Sequence, residues 1–164
     1  MRAQRSLVGV IGVLAMMLLA AFSTGTAQAA TSATGKAGGQ VLVAPAAPKH
    51  ATALSAQRLA AASPTVSPAA NYIHRATGES YTCASGNLCT EVWDPTVSKW
   101  KIFFLYHCNR YSLANWLGGG YYHNFQTGGA TAYFYDSSGR VITTSKAVMS
   151  GYQDWNPVWS IRNC

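Results

Sequence analysis

The chain has 164 residues, 49 % of them hydrophobic and 10 % charged, with a formal net charge of +7. From Tyr72 onward, however, seven Lys and Arg face all five acidic residues, a balance of only +2 (7 − 5). A nucleic-acid binder concentrates positive charge on its folded face, so no nucleic-acid partner is expected.

Arg2 and Arg5 precede an apolar run from Leu7 to Phe22, and small residues follow, ending in Ala27-Gln28-Ala29. A basic head, a core of this length and an A-x-A site predict a secretory signal peptide over residues 1–30. The core falls short of the roughly 20 residues that span a bilayer. The mature chain is therefore expected to be extracellular, with no membrane association after cleavage.

Residues 31–71 are rich in Ala, Ser, Thr, Gly and Pro and carry no acidic side chain. Such a stretch buries too little apolar surface to offset the entropy of ordering, which predicts a disordered arm. Two patches interrupt it. Gln40 to Pro48 contains the β-branched run Val41-Leu42-Val43, suited to docking on a partner as an added strand. Ala53 to Ala62 holds good helix formers and stops before Pro64.

From Tyr72 to Cys164 the composition changes, with eighteen of the nineteen aromatics and all five tryptophans in these 93 residues. Strands are predicted at Leu88–Trp93, Lys99–Tyr106, Thr131–Tyr135, Val141–Thr144 and Val158–Arg162, where β-branched and aromatic residues concentrate. The Asp136-Ser137-Ser138-Gly139 stretch predicts a hairpin turn. The run from Tyr111 to Leu117 reads as a helical turn. Gly118–Gly120 and Gly128-Gly129 bracket a predicted loop that presents Tyr121, Tyr122, His123, Asn124, Phe125 and Gln126. Aromatics beside amides suit a recognition surface, although alternate residues could equally fill a β core.

Export places Cys83, Cys89, Cys108 and Cys164 in an oxidising compartment, and an even count in a small domain predicts two disulfides. Of the three possible connectivities we favour Cys83–Cys89 with Cys108–Cys164. Neither the spacing of a zinc site nor a C-x-x-C redox centre occurs. The histidines lack H-x-x-x-H or H-E-x-x-H spacing, and Ser85 lies outside a G-x-S-x-G elbow. Glu91 and Asp94, three apart on a strand, do not converge and are assigned to the surface. No catalytic set emerges, so the chain is not expected to be an enzyme, and neither cofactor nor metal is expected.

The stretch Cys83 to Leu105, "CASGNLCTEVWDPTVSKWKIFFL", resembles the opening of small secreted βγ-crystallin-like proteins of streptomycetes. That group includes a metalloproteinase-inhibitor family and a killer-toxin-like protein. "YSLANW", "YYHNFQTGGATAYFYDSSG" and "DWNPVWSIRN" extend the similarity over most of residues 81–163. The resemblance implies a small Greek-key sandwich. The calcium-binding members carry stretches bearing Asn or Asp with Ser or Thr; here Leu117–Tyr122 has none of these, and Pro157 and Trp159 separate Asn156 from Ser160. Calcium needs six to eight oxygens, several of them anionic, so the calcium site is not expected to persist.

The overall plan also resembles the small adaptor subunit of streptomycete umbrella toxin particles. An arm would dock through Val41, Leu42 and Val43 on a larger secreted protein while the β domain binds another component. A secreted peptidase inhibitor and a carbohydrate- or cell-wall-binding module, with a peptidase or a glycan as partner, are the alternatives.

Overall fold

The computed structural model describes residues 38–49 and 62–164, and every regular element among them is a β-strand. In chain order these are β1 (Gln40–Val43), β2 (Thr65–Ser67), β3 (Asn71–Arg75) and β4 (Ser80–Cys83). Then come β5 (Leu88–Asp94), β6 (Lys99–Leu105), β7 (Arg110–Ala114) and β8 (Gly119–Asn124). The last four are β9 (Thr131–Tyr135), β10 (Val141–Lys146), β11 (Ser150–Asp154) and β12 (Ser160–Arg162). The expected leader at 1–30, the first part of the arm at 31–37 and all but the last residue of the helix-forming run at 53–62 lie outside the described residues. No helix among the described residues is long and apolar enough to cross a membrane.

The strands form two five-stranded antiparallel sheets and a two-stranded ribbon. One sheet runs β10-β9-β12-β7-β2, the other β11-β8-β5-β6-β3, and the ribbon pairs β1 with β4. Between the two sheets lies the main core. Leu88 and Val92 of β5, Phe103 and Leu105 of β6 and Tyr122 of β8 meet Tyr111 of β7, Phe134 of β9 and Ile161 of β12. Each alternates along its strand with a residue on the opposite face, as period-two geometry requires. Trp116 and Trp155 close the core from loops, with ring centroids 4.9 Å apart and edge to face.

The ribbon adds a third layer. Leu42 and Tyr81 are directly opposed across β1 and β4 and pack, with Cys83, on Cys89, Ile102, Ile73 and Phe104. This covers the outer face of the β5–β6–β3 region, which is why every residue of β5 is buried. Both expected disulfides are present. Cys83–Cys89 joins β4 to β5 and so fastens ribbon to sheet, while Cys108–Cys164 returns the chain end to the turn after β6.

Four expectations are corrected. The disordered arm was bounded at residue 71, yet Gln40–Val43 and Thr65–Ser67 are paired strands of the folded body. Its Leu42 and Ala44 supply buried apolar contacts that composition alone conceals, Ala44 packing on Trp93 and Trp100. Val41-Leu42-Val43 does add as a strand, but on β4 of its own chain, leaving Val41 and Val43 64 % and 58 % exposed. The run after Tyr111 is strand β7, because ladders with β12 and β2 on either side outweigh its helical composition. Glu91 and Asp94 are buried rather than at the surface.

Asp94 explains why residues 62–65 are held. Its Oδ2 accepts from Ser63 Oγ at 2.5 Å and lies 3.0 Å from His74 Nε2; its Oδ1 accepts from the Thr96 amide and hydroxyl. Lys101 Nζ donates to Ser63 Oγ and Pro64 O, and Trp116 Nε1 donates to Thr65 O. Burial would raise the Asp94 pKa, but the Ser63, Thr96 and His74 hydrogen bonds hold it below the ordinary carboxylate value. A depressed folded-state pKa contributes stability that is present above the unfolded value and lost as pH falls through the folded one. Acid unfolding below about pH 4 is therefore expected to be less steep in Asp94→Asn than in the native chain, even though the variant starts less stable. Chemical denaturation as a function of pH checks this; parallel pH profiles would contradict it.

Candidate functional site

Beyond the ribbon, the outer face of the β5–β8–β11 strands is only partly covered, and a groove of about 530 Å³ remains there. One wall is the segment Pro45–Lys49, which follows β1. The other is Leu117, Gly118, Gly119, Tyr121 and Tyr152, and the floor is Trp93 and Trp100. The floor is fixed by chemistry as well as packing. Trp93 and Trp100 meet edge to face at 5.5 Å, and Trp100 Nε1 donates to Pro45 O at 2.9 Å. The arm segment is anchored on each side of Ala44, whose amide donates to Glu79 O and whose carbonyl accepts from Gly78 N, both at 2.9 Å. The Trp93 Nε1 has no hydrogen-bond partner although it is buried.

The far wall is aromatic. Tyr121 and Tyr152 pack edge to face at 5.5 Å, and Tyr152 remains 63 % exposed. Tyr152 lies across Gly119 so closely that a Cβ there would come within 1.7 Å of its hydroxyl oxygen. Glycine at 119 thus makes the space that the ring occupies.

Beside the groove a polar line runs from the surface to the buried Glu91. Ser150 Oγ is 2.8 Å from His123 Nδ1, and His123 Nε2 is 3.4 Å from Glu91 Oε1. The Tyr81 hydroxyl donates to that same oxygen, so β4 is pinned to the sheet through a carboxylate that is 1 % exposed. Burial, reinforced by the Glu91 charge, pushes the Tyr81 phenol above its ordinary pKa and keeps it a donor. Hydroxyl, imidazole and carboxylate occur in the order a serine nucleophile uses. Here, however, the carboxylate is shared with the ribbon, and neither Ser150 nor His123 lines the groove.

The predicted recognition loop Tyr121–Gln126 is corrected to a strand and its exit, because β8 spans Gly119–Asn124. Alternation then divides its members. Tyr121 and His123 face outward, whereas Tyr122 enters the main core and Asn124 is buried, its Nδ2 donating to Ser145 O at 2.7 Å. Phe125 packs under the ribbon, and Gln126 Nε2 donates to Asn163 O near the chain end. Only Tyr121 reaches the groove. Tyr152, Leu117 and Pro45–Pro48 were not anticipated as partners of it. A hint lay in Gly119 beside an aromatic strand, since glycine within a strand often marks close approach by another group. No protein-family model, curated protein or solved structure matches this chain.

Proposed function

We propose that the chain is a secreted, non-enzymatic protein–protein recognition module, an adaptor, and that its groove takes an extended apolar segment of a larger secreted partner. The observation that carries this is that arm and body together build the groove. Its walls offer Tyr121, Tyr152 and Leu117 to solvent over a tryptophan floor, the residue types in which binding energy concentrates. The docked arm adds a further surface, since β1 has a strand neighbour on one side only among the described residues and presents Val41 and Val43 outward. Two disulfides suit an extracellular setting. In this role the ribbon is a preformed wall, and preorganisation lowers the cost of binding.

The test is affinity purification of the full chain from its native culture medium, comparing wild type with Tyr152→Ser and Gly119→Ala. A Cβ at 119 displaces the end of a flexible side chain and leaves the backbone alone, so Gly119→Ala is expected to stay folded while moving Tyr152. A larger secreted protein should co-purify with wild type in stoichiometric amount. Its affinity should fall by about 30-fold in either variant, the effect of losing one aromatic hot spot. Co-purification unaffected by both variants would remove the groove from the proposal. Inhibition of a secreted metalloproteinase, or retention on chitin without any protein partner, would replace the adaptor by one of its alternatives.

A further inference from the structure

The opposite sheet differs from the one just described, because no ribbon covers its outer face. Five strands contribute to that face, β10-β9-β12-β7-β2, and none of them contains an acidic residue. Strand register sorts its side chains into rows. Arg110 of β7, Arg162 of β12 and Tyr133 of β9 stand side by side in one row; Ser112, Ser160 and Tyr135 form the next. Arg110 and Arg162 alternate with Tyr111 and Ile161 of the core, so both point to solvent.

Two arginines directly opposite on neighbouring antiparallel strands repel, and such pairs destabilise a sheet. Among the described residues, no acidic side chain offsets the repulsion through an ion pair. Arg110, Arg162 and Lys146, which occupies the same sheet at the end of β10, make no ion pair among the described residues. Asp136 in the β9–β10 turn shares a surface hollow with Arg110, and its carboxylate is committed. Oδ1 accepts from the Ser138 amide and hydroxyl and from the Arg140 amide, and Oδ2 accepts from Arg140 Nε at 3.1 Å. The Arg110 guanidinium is instead positioned 4.0 Å above the Tyr135 ring, with Nε donating to Ser160 Oγ. It is held in place yet left without a counter-charge.

Next to this row stands Trp159, 60 % exposed, whereas the other four tryptophans are buried. Its backbone is fixed on both sides: its amide donates to Tyr135 O at 2.8 Å and its carbonyl accepts from Leu113 N at 2.9 Å. An indole fixed at the surface beside hydroxyls and uncompensated guanidinium groups matches a ligand with apolar ring faces, hydroxyls and carboxylates. The geometry points to this face as a binding surface for an acidic polysaccharide, with carboxylates set on Arg110 and Arg162 and a pyranose ring stacked on Trp159. The site lies on the other sheet from the groove and does not depend on a protein partner binding there. With both surfaces in use, the domain would join a protein to an acidic glycan.

Polygalacturonate serves as the probe, with neutral dextran and polyglutamate as controls, and binding of the full chain is measured by titration calorimetry. Polygalacturonate should bind and weaken as salt is raised; dextran should not bind detectably. The variant carrying both Arg110→Gln and Arg162→Gln should bind about tenfold or more weakly, the loss expected for a charge-assisted hydrogen bond. Its melting temperature should stay within a few degrees of wild type, because relief of the like-charge pair offsets loss of the Arg110 contacts with Tyr135 and Ser160. Trp159→Ala should bind more weakly while staying folded. Absence of polygalacturonate binding, equal affinity for polyglutamate, or indifference to Trp159→Ala would each overturn the inference.

Discussion

Gly120→Ala is expected to destabilise the domain by about 3–5 kcal/mol, whereas Gly119→Ala, one residue earlier, is expected to melt close to wild type. A Cβ at 120 would lie 1.9 Å from the backbone oxygen of Glu91 and 2.4 Å from Trp155 Nε1. Those two atoms are themselves hydrogen-bonded at 2.8 Å. The ladder between β5 and β8 ends at Glu91 and Tyr121, and the Trp155 indole takes over the next carbonyl position by lying on Gly120. Any side chain there must separate two paired strands or expel a fully buried tryptophan. Expelling a large core aromatic costs about 3–5 kcal/mol, a large share of the roughly 5–15 kcal/mol that holds a domain together. Circular dichroism and thermal melting of the two variants would decide. A cooperative melt for Gly120→Ala near that of wild type would show that the strand interface yields where packing says it cannot.

Removing the Cys108–Cys164 bridge is expected to have a comparable effect for a topological reason. β12 is only three residues long, yet it is the central strand of its sheet, between β9 and β7. A strand of three residues is weakly held by its own ladders, and losing it would divide the sheet into β10-β9 and β7-β2. Asn163 helps, donating to Leu105 O at 2.8 Å and accepting from the Asn109 amide, but only the disulfide, with a sequence separation of 56, constrains the unfolded chain. Replacing both cysteines by serine should lower stability by about 4 kcal/mol and the melting temperature by about 20 °C. A shift of only a few degrees would mean that Asn163 and the β12 ladders suffice to hold the end.

The five strands anticipated from β-branched and aromatic density correspond to β5, β6, β9, β10 and β12, and the even cysteine count implies two disulfides, whose favoured pairing among three is the one observed. Other elements were hidden for identifiable reasons. β8 begins with two glycines, which read as loop punctuation but make room for Tyr152 and Trp155. β4 and β11 carry polar residues on the faces that composition weighs most heavily. Glu91 appeared to be a surface acid because its burial depends on a ribbon whose first strand lies 48 positions away in sequence. The groove was illegible for the same reason, since its walls come from residues 45–49, 117–121 and 152, and only the folded register brings them together. Nothing in the composition marks Trp159 as the exposed tryptophan; only the folded arrangement does.

The central claim is that residues 40–48 are an integral layer of the domain and one wall of its recognition groove. Hydrogen–deuterium exchange of the backbone amides of residues 40–44 in the full chain tests it most directly. The Ala44 amide, bonded to Glu79 O, and the amides of the β1–β4 ladder should exchange about a hundredfold or more slowly than an unstructured chain. Exchange of this stretch at unprotected rates, with the remaining strands protected, would show that the arm is not part of the folded body, and the groove would lose one of its walls.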